Sequence, residues 1–128
     1  MATYPARSSG DQTVNYLRAP ITFAMGYTGV TQVGTLPAGC AVLRAYAVIG
    51  TVFNNGSTNS LKIGSVASDA SITAAVALGT LGVASGTIAA GAAVLPTVDT
   101  PIIATGVSTG TAATTGSGVV VVEYLPVA

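Results

Sequence analysis

Four basic side chains (Arg7, Arg18, Arg44, Lys62), four acidic ones (Asp11, Asp69, Asp99, Glu123) and one thiol (Cys40) are the groups from which this sequence would have to build a reaction. Histidine is absent, which removes Ser-His-Asp and Cys-His catalysis, imidazole-ligated metals and a switch near neutral pH. A Ser–Lys pair would have to use Lys62, which lies between Leu61 and Ile63 and reads as a solvated strand residue. The carboxylates stand singly, with no clustered loop to gather the several oxygens that calcium takes. Asp69 and Asp99 therefore read as turn caps. Cys40 follows Pro37-Ala38-Gly39 and opens an apolar run, the setting of an inert core residue. Arg44 is the nearby cation that would be needed to activate it. Gly116-Ser117-Gly118 leads into a strand pattern, whereas a phosphate loop needs a helix N-terminus. The sequence thus predicts no enzyme, no metal and no cofactor.

Composition narrows the partners. Charged residues are 6% of the 128, against roughly 25% in an ordinary soluble domain. Net charge is zero, so no face can neutralise several phosphates and nucleic acid is not an expected ligand. Charge repulsion is what keeps small proteins apart in solution. A chain this neutral is expected to be covered by polar Thr, Ser and Asn, by its neighbours in an assembly, or by both. One cysteine excludes an intrachain disulfide. The first twenty residues carry no apolar core of a signal peptide, and synthesis in the cytoplasm is the expectation. Residues 70–98 form a 29-residue run without charge, longer than the ~20 residues of a membrane helix. Four glycines and Pro96 interrupt that run, and Asp69 and Asp99 flank it, whereas spans carry Lys or Arg flanks and aromatic belts. No membrane partner is expected.

The elements that must position these groups are short and pleated. Ala, Gly, Thr and Val supply 73 of the 128 residues, and Val and Thr favour extended backbone. Residues 1–18 are polar and without pattern and read as an extended N-terminal arm, with 19–128 as a single sandwich domain. In residues 21–27, Ile21, Phe23, Met25 and Tyr27 alternate with smaller residues, the period of a strand. Residues 30–33 return, and Leu36-Pro37-Ala38-Gly39 forms a turn. The longest strand pattern covers 40–53. Both its faces are apolar except at Arg44, which predicts a central strand covered on both sides, or on one side by a partner. Asn54-Asn55-Gly56 signals a reversal, with residues 61–63 as the returning strand and Lys62 facing away from Leu61 and Ile63. Further strands are expected at 72–78, 81–88, 92–98, 101–105 and 119–125, with a Thr/Gly/Ser loop over 106–118. Alanine favours a rival helix over 70–90. The pattern is all-β, a sandwich or barrel of about eight or nine strands.

Gly34-Thr35-Leu36-Pro37-Ala38-Gly39, the alternating strand after it, Phe53-Asn54-Asn55-Gly56, Leu61-Lys62-Ile63-Gly64 and the closing Gly118-Val119-Val120-Val121-Val122-Glu123-Tyr124 together resemble small tailed-phage virion proteins. The resemblance is to head decoration, or cement, proteins with a jelly-roll-like antiparallel β-sandwich, and it covers about residues 20–125. It implies a subunit on the outer surface of a virion capsid that bridges major capsid proteins and forms a homo-oligomer, dimer or trimer. The low charge and the alanine-rich middle depart from that pattern. The candidate capsid contacts are Tyr4, Pro5, Arg7, Tyr16 and Arg18, all in the proposed arm. Two other readings are a carbohydrate- or receptor-binding sandwich of a tail or fibre, which would use Tyr27, Tyr46 and Tyr124, and a small membrane-associated protein using 70–98.

Overall fold

The computed structural model describes residues 14–25, 29–89, 91 and 94–126. Among these residues eight strands run in the order β1 (Asn15–Thr22), β2 (Val30–Leu36), β3 (Cys40–Thr51), β4 (Ser60–Ser65), β5 (Thr73–Ala77), β6 (Gly82–Ser85), β7 (Thr100–Gly106) and β8 (Ser117–Pro126), with a 3-10 turn at Phe23–Met25. They form two four-stranded antiparallel sheets, β1-β8-β3-β6 and β2-β7-β4-β5. Strand β1 pairs with β8, β2 with β7, β3 with β6 and β4 with β5. Such nested pairing is one long hairpin of four strands per arm, wrapped on itself. It is the jelly-roll arrangement that the resemblance implies.

The sandwich closes over a core drawn about equally from both sheets. Ile21, Ala45, Ala47, Ile49, Val120 and Val122 face inward from the first, and Leu36, Leu61, Ile63, Val76, Ile102 and Ala104 from the second. Alanines at 45, 47 and 104 sit among isoleucines and leucines, so large and small side chains interlock across the roughly 10 Å between sheets. Phe53, Ile72 and Leu78 fill the core from the connections. Each fully buried Leu or Ile contributes about 1.5–3 kcal/mol.

Several elements depart from the sequence expectation. Strand β1 begins at Asn15, so residues 15–18 belong to the sheet rather than to the arm: Tyr16 pairs with Glu123 and Arg18 with Val121. It also ends at Thr22, and Phe23–Met25 turns away as the 3-10 segment. The link through Asn54-Asn55-Gly56 is not a hairpin, because β3 and β4 lie in different sheets. The chain crosses the sandwich there, and Asn54 ties the crossing down: its Oδ1 accepts from the Thr114 and Thr115 amides (2.8 and 3.1 Å) and its Nδ2 donates to Thr114 Oγ1 (3.0 Å). Residues 94–98 hold no strand. Residues 72–78 and 81–88 hold the short β5 and β6 instead of a helix. Among the described residues no helix is long and apolar enough to cross a membrane.

Strand β3 is central, as its two apolar faces suggested, but those faces do not follow simple odd–even alternation. A register shift between Val42 and Arg44 places the extra residue Leu43 outside the ladder, so Val42 is buried together with Ala45, Ala47 and Ile49. The opposite face carries Arg44, Tyr46 and Val48, with Arg44 and Val48 exposed and Tyr46 half-buried among the described residues.

A candidate docking face on the first sheet

The groups that were candidates for chemistry are dispersed and engaged. Lys62 Nζ pairs with Asp69 at 3.0 Å. Asp99 accepts from the Ala38 amide at 2.9 Å, the capping role expected of it. Cys40 is 1% exposed, and burial holds its thiol above the usual range, so it stays protonated at neutral pH. Among the described residues no three potential metal ligands lie together. A cavity of about 360 Å³ beside β5 is lined by Ala70, Thr73, Ala74, Ala75, Thr87 and Ile88 among others, with no ionisable group in it.

What the fold does assemble is a surface. Antiparallel register sets the outward residues of four strands in three rows: Tyr16–Glu123–Arg44, Arg18–Val121–Tyr46–Ser85, and Pro20–Val119–Val48–Val83. The reason lies in the run Val119-Val120-Val121-Val122. A sheet with one solvated face alternates apolar and polar residues, but here valine occupies both phases, so Val120 and Val122 enter the core while Val119 and Val121 take the other phase, Val119 half-buried and Val121 only 9% exposed. Val48 and Val83 extend the apolar surface, at 41% and 66% exposure. A shallow depression of about 340 Å³ lies between Tyr16, Arg18, Tyr46, Val48, Val119 and Val121.

The polar groups on this face are arranged around one ion pair. Arg44 faces Glu123 across the ladder and binds it, and its guanidinium lies 5.4 Å from the centroid of the Tyr46 ring, within cation–π range. With the Arg44 side chain 67% exposed, the pair contributes about 0–1 kcal/mol. Its greater effect is to neutralise Glu123. Burial is the main cause that raises the Tyr46 hydroxyl above its usual range, and the hydrogen bond and charge of Glu123 add to it. Arg18 stands apart: no carboxylate among the described residues pairs with it.

Of the sequence-predicted contact residues, Tyr16 and Arg18 fall on this face, brought beside Tyr46 and Val121 by β8. Tyr4, Pro5 and Arg7 lie outside the described residues. Tyr46 was anticipated only as a ring of the carbohydrate reading, and Val48, Val119 and Val121 were not anticipated as site residues, although the unbroken valine run was a visible sign of a strand apolar on both faces. Of the ring set of the carbohydrate reading, the two described members do not converge. Tyr27 lies outside the described residues, Tyr46 is on the outer face, and Tyr124 packs against the core.

No family model matches the sequence, and no curated protein matches it. Among solved structures, the chain is similar to one in the "Cyanophage Pam1 capsid asymmetric unit", with a TM-score of 0.58 and 24% identity over 98% of this chain and 94% of that one. The likeness establishes the class of fold, a jelly-roll sandwich spanning nearly the whole sequence.

Proposed function

We propose that this chain is a non-enzymatic structural protein of a phage virion, which decorates the outer surface of the capsid and stabilises it by bridging major capsid subunits. The observation that carries this reading is the outer face of the first sheet. It carries Val119, Val121, Val48 and Tyr46 along its central strands beside a neutralised ion pair, and belongs to a chain with only 6% charged residues. A surface of that kind is stable in water when a partner covers it. A stable contact buries about 1,600 Å² in total, and a lattice subunit makes several. The similarity in fold to a chain of a phage capsid supports the same reading. The resemblance to cement proteins adds assembly as a dimer or trimer, and contacts from Tyr4, Pro5 and Arg7 alongside Tyr16 and Arg18. Quantitative mass spectrometry of purified particles tests it. The chain is expected at a fixed ratio to the major capsid protein, and shells lacking it are expected to lose integrity at lower temperature. Particles without the chain, or shells equally stable with and without it, overturn the proposal.

A further inference from the structure

The sandwich offers few free edges for assembly by strand addition. Proline at position 20 removes a backbone donor from the outer strand β1. Strand β2, at the matching edge of the second sheet, carries a register shift between Gln32 and Gly34. The other two edges, β5 and β6, are five and four residues long. Bulges, prolines and short edge strands are the devices that block edge-to-edge pairing, so association is directed to a face. The outer face of the first sheet exposes Tyr16, Val48 and Val83.

The charge on that face selects the occupant. Glu123 is already bound by Arg44, while Arg18 borders the depression with no carboxylate of the described residues against it. A second copy meeting this face through its own equivalent would bring another Arg18 and, among the described residues of the face, no carboxylate free to pair with it. Covering a guanidinium without a counter-charge is strongly unfavourable. The occupant therefore has to supply an anion among apolar side chains.

From this complementarity we infer that the first sheet's outer face docks a surface segment of the major capsid protein carrying an Asp or Glu flanked by apolar residues, its carboxylate bound by Arg18 and its apolar side chains seated on Tyr16, Tyr46, Val48, Val119 and Val121. The inference rests on the capsid reading above and specifies the face and the chemistry of the contact. Contacts between copies of this chain then use other surfaces.

Co-sedimentation of the full-length protein with purified capsid shells lacking it is the test, with Arg18→Glu, Arg18→Lys and Val121→Lys compared against Thr35→Glu on an exposed position of the second sheet. Loss of a covered charge pair weakens binding by about 30-fold or more. Arg18→Glu and Val121→Lys are expected to show that loss, Arg18→Lys to retain most binding, and Thr35→Glu to bind like the parent. Unchanged thermal midpoints for the two Arg18 variants separate docking from folding. If the parent binds and Arg18→Glu binds equally, the inference is wrong while the capsid reading survives. A parent that fails to bind shells overturns both. If instead Arg18→Glu or Val121→Lys dissociates an oligomer of the free protein in sedimentation velocity, the face joins copies of this chain and the inference is again overturned.

Discussion

Gly116 is where the loop of residues 107–116 meets the core, and replacing it with alanine tests how the start of β8 is held. Its φ is +146°, a conformation that L side chains rarely adopt. A Cβ at this position would stand 2.6 Å from Cγ and 2.7 Å from Cδ2 of Phe53, a ring that is 3% exposed and locked in the core. The Gly116 carbonyl also accepts from the Phe23 amide at 3.0 Å, so the loop cannot shift freely to make room. Backbone strain of this kind costs about 1–3 kcal/mol, and overpacking a core adds about 1–3 kcal/mol. We expect Gly116→Ala to lose about 3–4 kcal/mol, a large part of the roughly 5–15 kcal/mol that holds a domain together. With a urea slope of about 2 kcal/mol/M, the unfolding midpoint should fall by about 1.5–2 M. In a Phe53→Leu background the steric part should shrink and leave a penalty of about 1–2 kcal/mol from the backbone alone. A Gly116→Ala midpoint within about 0.2 M of the parent would refute the strain argument. An equal penalty in both backgrounds would refute the role of Phe53.

Other outcomes follow from the same geometry. Burial raises both the Cys40 thiol and the Tyr46 phenol, so above their ordinary values of about 8.5 and 10 the unfolded chain releases protons that the folded one retains. Stability is therefore full at neutral pH and declines as pH rises through 9 to 11, and Tyr46→Phe should flatten the upper part of that decline in urea titrations. Asn54→Ala removes three hydrogen bonds between the β3–β4 crossing and residues 114–115. It should cost about 1–2 kcal/mol and speed hydrogen exchange at the Thr114 and Thr115 amides. Leu61→Ala empties a site with 0% exposure and should cost about 2–5 kcal/mol in the same unfolding assay.

Local patterns determined a good deal of this protein. Cys40–Thr51, Ser60–Ser65 and Ser117–Pro126 were legible because extended backbone leaves its period in the sequence, as Leu61, Lys62 and Ile63 show. The absence of histidine was likewise a matter of counting. Tertiary structure alone decided how strands meet. Asn54-Asn55-Gly56 marks a change of direction, but the same local turn serves a hairpin or a crossing between sheets, and the choice depends on which apolar faces must be buried together. Residues 15–18 looked like an arm because an edge strand buries one face only, and Leu17 is the one aliphatic residue among those four. The one-residue shift at Leu43 depends on the long-range ladder with β8 and leaves no local mark. The docking face is the extreme case: its rows draw on residues 16–20, 44–48, 83–85 and 119–123, and only strand register across the sheet makes neighbours of side chains so far apart in the chain.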